Sequence, residues 1–342
     1  GDLYSVTALN KSRDRLKRTG LFKEVDYTTS RGSTDEKINL DIKVEEAPTG
    51  SVSFGIGYSS IEGAIGSATI SERNLFGYGY QGSLSFKLGF QVHDVRLSFT
   101  DPYFLGYPYA AGFDLYNEQV GYFTTYSYKV TGGDLRLGKE LMENIRLDAM
   151  YKLETIDVYD VTEGASVFIK EQEGRKTTSA LAFTFSMDTR DDYFAPTRGA
   201  RHSLSLQNAG GILGGDNYFV KVLGETSWYF PLPLNTVLNL RGKAGFIEPY
   251  GGRESPIYEK FFVGGIYTLR GFDYGMAGPV DQNREPLGAN KMVTFNSEWL
   301  FPLSREIGLK GALFWDIGKG FDKLADITPL KTGAGVGIRW FS

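Results

Sequence analysis

The chain of 342 residues contains no cysteine and only two histidines, His93 and His202. Without cysteine it can form neither disulfides nor thiolate metal ligands, and two histidines so far apart do not form a recognisable metal motif. We therefore predict no metal and no cofactor. Neither histidine has a serine or cysteine partner in a recognisable pattern, and no G-x-x-x-x-G-K-[ST] loop occurs. The sequence thus predicts a protein that is not an enzyme.

Long apolar runs and basic charge are missing as well. No stretch approaches the roughly 18 consecutive apolar residues of a transmembrane helix, so any membrane role would have to use β-strands. The start of the chain, GDLYSVTALN, lacks the basic and apolar regions of a signal peptide, which suggests a mature fragment or a shortened chain. A net charge of −4 excludes the broad basic field with which proteins bind nucleic acid.

Glycine and aromatic residues are abundant. The chain has 43 glycines, and its 21 tyrosines and 24 phenylalanines add a large aromatic content. Glycine alone is about 13% of the residues, against roughly 7% in an average protein. This composition argues against a disordered chain.

The first 48 residues differ in pattern from the rest. Apolar residues recur on one helical face over residues 5–18, and Gly20 stands where a C-cap glycine belongs, so we predict a helix there. Two strands should follow, over residues 22–29 and 37–45. One helix and two strands are too few for an independent core, so we expect more of this domain upstream.

From residue 51 onward, short runs of alternating apolar residues replace the helical period. The alternation and the intervening turn residues predict fourteen strands. Their approximate bounds are 51–60, 63–73, 80–90, 92–100, 109–118, 121–138, 143–157, 177–188, 198–208, 217–230, 235–247, 288–301, 306–317 and 331–341.

The connections between these strands are of two kinds. Every second strand ends in a short aromatic or proline turn: Asn74-Leu75-Phe76-Gly77, Asp101-Pro102-Tyr103-Phe104, Phe230-Pro231-Leu232-Pro233 and Phe301-Pro302-Leu303. The other ends carry longer polar loops, notably 158–176, 248–287 and 318–330. Outer-membrane barrels show this asymmetry, with short periplasmic turns and aromatic residues at the lipid interface.

Alternation within single strands supports the same fold. In the strand over 306–317, Leu313 and Trp315 share one face, whereas Lys310 and Asp316 share the other. Lipid on one side and a wet lumen on the other require this arrangement. A soluble β-sandwich or barrel also alternates, but it has no reason to segregate long loops from aromatic turns. We therefore predict an all-β transmembrane antiparallel barrel.

Several segments together resemble the BamA family of outer-membrane protein insertases, within the wider superfamily of POTRA-barrel transporters. The segments that carry this resemblance are Lys43-Val44-Glu45-Glu46, Ser71-Glu72-Arg73-Asn74-Leu75-Phe76-Gly77, Asp188-Thr189-Arg190, Phe194-Ala195-Pro196-Thr197-Arg198-Gly199 and Phe261-Phe262-Val263-Gly264-Gly265. The resemblance implies that residues 1–48 are the C-terminal part of the last periplasmic POTRA domain, of α+β type, and that residues 49–342 are the barrel. It further implies sixteen barrel strands, so that the last two are missing after the fourteenth.

The most specific segment is Leu269-Arg270-Gly271-Phe272, in the long loop 248–287. It is similar to the family's V/I-R-G-F/Y signature, with leucine at the first position, and in the family this loop folds back into the lumen. A desolvated guanidinium needs a carboxylate partner there. The resemblance offers Asp316 and Glu298. A turn at 302–305 would put them roughly 20 Å apart, at about 3.3 Å per residue. We therefore expect Arg270 to bind Asp316, with Glu298 as the alternative.

The resemblance also implies a lateral gate at the first barrel strand, formed by residues Val52, Phe54, Gly55, Ile56, Gly57 and Tyr58. Glycine weakens strand ordering, which would suit a loose edge that pairs with an incoming client strand. The expected function is the folding and insertion of β-barrel proteins into the bacterial outer membrane, with the N-terminal part in the periplasm. Expected partners are unfolded outer-membrane proteins, outer-membrane lipids and accessory assembly lipoproteins.

Three alternatives remain at the level of sequence. A TamA-like or two-partner-secretion translocation pore shares the barrel plan and the loop arginine. A passive porin would lack the periplasmic domain and the loop motif. An outer-membrane enzyme would need a serine and histidine pair on one wall, and the sequence offers none that we recognise.

Overall fold

The N-terminal part forms a helix and a two-stranded sheet. The computed structural model describes residues 4–34, 37–59, 61–121, 123, 125–304 and 306–340. Helix α1 spans Val6–Arg18, strand β1 spans Phe22–Arg31 and strand β2 spans Ile38–Glu46. The hydroxyl of Ser5 accepts a hydrogen bond from the amide of Ala8 at 3.3 Å, and Gly20 has a φ of 69°. These caps explain why the helix begins and ends where the sequence predicts.

The small sheet leaves one row of apolar side chains uncovered. Val25 of β1 is buried, but the apolar residues opposite and beyond it on β2 are exposed. That row consists of Ile38, Leu40, Ile42 and Val44. Within the described residues, the helix therefore covers only part of the apolar face of this sheet.

The described residues of the rest of the chain form one antiparallel sheet of 14 strands. Their bounds are β3 Gly50–Ser59, β4 Gly63–Leu75, β5 Tyr80–Gly89, β6 Val92–Asp101, β7 Tyr109–Val120, β8 Ser127–Met142, β9 Ile145–Tyr159, β10 Gly174–Asp188, β11 Gly199–Ala209, β12 Phe219–Leu232, β13 Thr236–Pro249, β14 Lys291–Ser304, β15 Leu309–Phe321 and β16 Lys331–Trp340. Each strand pairs with the next along the chain, from β3 to β16. The predicted strand number is confirmed.

Two of the predicted strands differ from the structure for reasons that the packing explains. The strand predicted over 121–138 begins later, at Ser127, because Phe123 and Tyr126 pack into an apolar cluster with Ile257. The strand predicted over 306–317 runs from Leu309 to Phe321. Apolar residues beside a strand thus extend the alternation without joining the ladder.

The two faces of the sheet differ as lipid and water would require. On β15, Leu313 and Trp315 are exposed on the outer face, whereas Ala312 and Asp316 are buried on the other. Strand β14 repeats this pattern, with Trp299 outward and Thr294 buried inward. Since the outward side chains are large and apolar, this face is suited to lipid.

A long connection packs against the inner face over much of the sheet. Residues 250–290, which join β13 to β14 and which we call the lumen loop, contact the same face of strands from β8 to β16. One loop can contact strands so far apart in the order only if that face is concave. The sheet therefore curves around the lumen loop as a barrel wall.

The other connections keep the predicted asymmetry. Helix α2, Val167–Lys170, lies in the connection between β9 and β10, on the same side as the lumen loop and the connection from β15 to β16. The opposite side has short turns whose tips expose Phe76, Leu105 and Leu234. None of the helices in the described part of the chain is long and apolar enough to cross a membrane.

Candidate functional site

The motif residues of the lumen loop are fixed by apolar packing on both sides of the arginine. Leu269 is fully buried in a cluster with Phe219, Ile247 and Met292 of the wall, and Phe272 packs against the same cluster. Gly271 has a φ of 90°, a conformation that side chains rarely adopt. The leucine and phenylalanine thus hold the loop in place, and the glycine allows the chain to turn between them.

Arg270 forms a two-pronged ion pair with Asp316. Its Nε donates to Oδ2 and its Nη2 donates to Oδ1, each at 2.7 Å. The backbone amide of Arg270 adds a third hydrogen bond to Oδ2 at 3.0 Å. The guanidinium also lies 3.8 Å above the ring of Phe314. Parallel hydrogen bonds of this kind fix orientation as well as distance, so Arg270 has one defined position on the wall.

Glu298 contacts the same guanidinium, which corrects the expectation that one arginine would not bind both acids. Arg270 Nη1 donates to Glu298 Oε1 at 2.7 Å. The assumed turn at 302–305 was wrong, because β14 continues to Ser304 and β15 begins at Leu309. Asp316 therefore lies opposite Asn296, and Glu298 is its diagonal neighbour, about 7–8 Å away.

Burial and charge act in opposite directions on the motif arginine. Burial alone would lower the pKa of Arg270, but the hydrogen bonds to Asp316 and Glu298 outweigh it and raise the pKa above its ordinary value. The carboxyl group of Asp316 is fully buried, whereas 16% of the Arg270 side chain is exposed. The arginine therefore remains charged and supplies the countercharge that the buried acid requires.

A second ionic anchor, which the sequence analysis missed, holds the lumen loop on another part of the wall. Glu259 accepts hydrogen bonds from Lys221 of β12 at 2.8 Å and from Lys152 of β9 at 3.1 Å. Lys221 also donates to the backbone carbonyl of Glu259 at 2.8 Å. Lys152 in turn pairs with Glu154 at 2.6 Å. The loop is thus tied to the wall at two separate places.

The electrostatics of Glu259 follow from its two lysine partners. Burial would raise the pKa of Glu259, but the positive charges of Lys221 and Lys152 outweigh it and lower that pKa to about 2. Nothing in the sequence marks this glutamate, because a single acid in a polar loop is usually solvated. Only the fold brings β9 and β12 close to it.

A cavity of about 480 Å³ lies on the short-turn side of the motif. It borders Glu298 and is lined by the cationic residues Arg190, Arg201, Arg241, Lys310 and Arg339, together with Glu225. The inner wall near the motif is therefore charged and mixed in polarity, as the alternation predicted.

The predicted gate residues lie on β3, the first strand of the sheet. Phe54, Ile56 and Tyr58 are more than 80% exposed, and Val52 is 60% exposed. Gly55 and Gly57 lie between them, facing Ser67 and Ile65 of β4. Within the described residues β3 pairs only with β4, so the backbone groups of its other edge have no strand partner. The gate itself stays a prediction.

Possible metal ligands are not clustered in the described residues. There, no group of three or more histidines, aspartates or glutamates could hold a metal ion. The Nδ1 atom of His202 lies 2.8 Å from the hydroxyl of Thr226, and its ring packs edge-on against Trp228. These contacts give His202 a structural role.

Comparison with known proteins agrees with this architecture. The family described as "Omp85 superfamily domain" matches residues 74–342. The outer membrane protein assembly factor BamA of Nitratidesulfovibrio vulgaris is 31% identical and covers 100% of this chain, which spans 44% of that protein. A BamA of Neisseria meningitidis is 27% identical over 93% of the chain, which spans 43% of the relative. The chain thus spans about half the length of these curated relatives.

More distant similarities include a sorting and assembly machinery component and solved structures. The sorting and assembly machinery component 50 homolog of Mus musculus is 26% identical over 79% of the chain, which covers 58% of that relative. The crystal structure of Haemophilus ducreyi BamA lacking POTRA domains 1–3 has a TM-score of 0.83 at 22% identity. The match covers 100% of this chain and 74% of the Haemophilus ducreyi chain. CdiB from Acinetobacter baumannii has a TM-score of 0.61 at 16% identity, and the match covers 100% of this chain and 63% of the CdiB chain. At these identities the solved structures show the fold alone.

Proposed function

Because the chain belongs to the Omp85 superfamily, we propose that it is part of a protein that folds and inserts β-barrel proteins into the outer membrane of bacteria. Its barrel lies in the outer membrane. The observation that carries the proposal is the seating of the motif arginine on two wall carboxylates, within a chain that resembles assembly factors along its whole length.

The proposed mechanism uses the free edge of β3. An extended client segment would add to this edge by backbone hydrogen bonds, which recognise strands of any sequence. Glycines at positions 55 and 57 leave the strand with little side-chain packing, so that the edge can adjust to each client. The free energy would come from folding of the client, since the backbone of each new strand becomes paired within the membrane.

We also propose that residues 1–48 are the C-terminal part of a periplasmic POTRA domain. The exposed apolar row of β2 supports this assignment, because further elements of such a domain would cover it. The partners would be unfolded outer-membrane proteins, outer-membrane lipids and accessory assembly lipoproteins.

A translocation pore of the TamA-like or two-partner-secretion kind is the second candidate. The fold shared with CdiB from Acinetobacter baumannii favours it, although at 16% identity this likeness concerns the fold alone. The two functions differ in their product: an insertase leaves the client in the membrane, whereas a pore releases it on the far side.

A folding assay tests the proposal. The full-length parent protein would be placed in liposomes with a urea-unfolded outer-membrane protein, and the rate of client folding would be measured. We expect acceleration that Arg270→Ala weakens and that Arg175→Gln, at an exposed ion pair, leaves unchanged. Steady ion conductance without acceleration would contradict the insertase function and favour the pore.

A further inference from the structure

Strand β16, the last in the sheet, contacts the lumen loop through its inner face. Lys331 Nζ donates to the carbonyl of Met276 at 2.7 Å and lies 5.5 Å above the ring of Phe272. At Gly333 the backbone is so close to the Arg270 carbonyl that a side-chain carbon would collide with it. Since residues two apart on a strand share a face, these contacts lie in one row along β16.

Arg339 continues this row and binds a carboxylate that the motif also uses. Its Nη2 donates to Glu298 Oε1 at 2.7 Å, the same oxygen that accepts from Arg270 Nη1 at 2.7 Å. Asp316 binds the remaining donors of Arg270. The four side chains therefore carry two positive and two negative charges, and neither arginine can lose Glu298 without leaving an imbalance.

We propose that Arg339 is a positioning residue that joins β16 to the loop motif through Glu298, so that loop seating and the position of this strand are set together. The exposures fit this role, because 48% of the Arg339 side chain is exposed, whereas only 13% of the Glu298 side chain is exposed. The long side chain of Arg339 thus reaches from β16 to a carboxylate that is held in the wall. The coupling requires no client and holds whether or not the proposed function is correct.

Protection of the lumen loop from trypsin measures this coupling. The loop contains the cleavage positions Arg253, Lys260, Arg270 and Arg284. For the folded full-length protein in micelles, Arg339→Gln should speed cleavage in the loop about threefold to fivefold, the range of a partly exposed ion pair. Arg339→Lys should restore protection, because one donor suffices for one oxygen. Unchanged protection in Arg339→Gln would overturn the proposal.

A matched control separates this effect from a general loss of charge. Arg136→Gln removes an arginine that is 39% exposed and that pairs with Asp114, 10% exposed, and with Asp134, 7% exposed, on strands β7 and β8. Its effect on cleavage in the lumen loop should be negligible. Equal acceleration by both substitutions would show that the loop responds to any lost wall charge, and would overturn the specific coupling.

The decisive experiment combines Arg339→Gln with a second substitution, Glu298→Gln. With Glu298→Gln, the two guanidinium groups face each other over a neutral amide, and Asp316 is the one carboxylate left among the four side chains. Removal of Arg339 should therefore increase protection of the loop in this background. The effect of Arg339→Gln must therefore change sign between the two backgrounds. If Arg339 acted only by supporting β16, its loss would reduce protection in both backgrounds, and the proposal would be wrong.

Discussion

Arg270 and Asp316 lie 46 residues apart in the sequence, yet they meet through two parallel hydrogen bonds of 2.7 Å inside the curved sheet. The arginine comes from the lumen loop and the acid from β15. This pair is one of the two ionic attachments of the lumen loop to the wall, and the other is the contact of Glu259 with Lys152 and Lys221.

Removal of the motif arginine should destabilise the folded protein as well as the loop. Arg270→Ala leaves a fully buried carboxylate without its countercharge, and we expect a loss of about 3 kcal/mol, at the low end for such pairs because Arg270 is partly exposed. Arg270→Lys keeps the charge but not the parallel geometry, so it should lose less. Urea unfolding of the full-length protein in micelles measures both. A smaller loss of unfolding free energy in Arg270→Ala than in Arg270→Lys would contradict this account.

A methyl group at Gly333 should displace the motif. The added carbon would collide with the Arg270 carbonyl, and overpacking of this kind costs about 1–3 kcal/mol. Gly337→Ala is the matched control on the same strand, because its added carbon would lie 3.9 Å from Ala312. Thermal unfolding and trypsin protection of the loop should change for the first variant only. Equal behaviour of both variants would show that the loop does not depend on close approach to β16.

The Glu259 anchor should fail only in strong acid. Its pKa is lowered to about 2 in the folded protein, from an ordinary value of 4.5. The stabilisation is thus fully present above about pH 4.5 and is lost as the pH falls towards 2, and it amounts to at most about 3 kcal/mol. The difference in free energy of urea unfolding between the native protein and Glu259→Gln, measured from pH 7 to 2, should be constant down to about pH 4.5 and then shrink. A difference that grows with acidity would reverse the assigned sign.

Client contacts should concentrate at the free edge of β3. A photo-crosslinker at Ile56 should capture a stalled client strand, whereas one at Leu204, also exposed on the outer face but in the middle of the sheet, should not. Ser203 borders the inner cavity and reports on passage through the lumen. Crosslinks at Ser203 without crosslinks at Ile56 would exclude the gate mechanism.

Much of the fold could be predicted because strand alternation is a local property. All fourteen strands were recognised, since each has lipid on one side and a polar interior on the other. The helix and the small sheet at the N-terminus followed from the cap at Gly20 and from the alternation of residues 37–45 in the same way. The expectation that two further strands follow stays a prediction.

The geometry of the site was less accessible, because it depends on register. The pairing of β14 with β15 was predicted, but the wrong turn position separated Glu298 from Asp316 and concealed their shared arginine. A shift of a few residues in a hairpin changes which side chains are neighbours along its whole length. Glu259 could not be predicted at all, since its lysine partners come from strands that only the curvature of the sheet brings together.

The two anchors of the lumen loop divide the wall into a stiff and a compliant part. Glu259 ties the loop to β9 and β12, and Arg270 ties it to β14 and β15, so the curvature of this arc cannot change without breaking an ion pair. The four ion pairs of Glu259 and Arg270 join the loop to strands β9–β15. A change in curvature next to β3 breaks none of these four, so the strands next to β3 should move first when the wall adapts to a client.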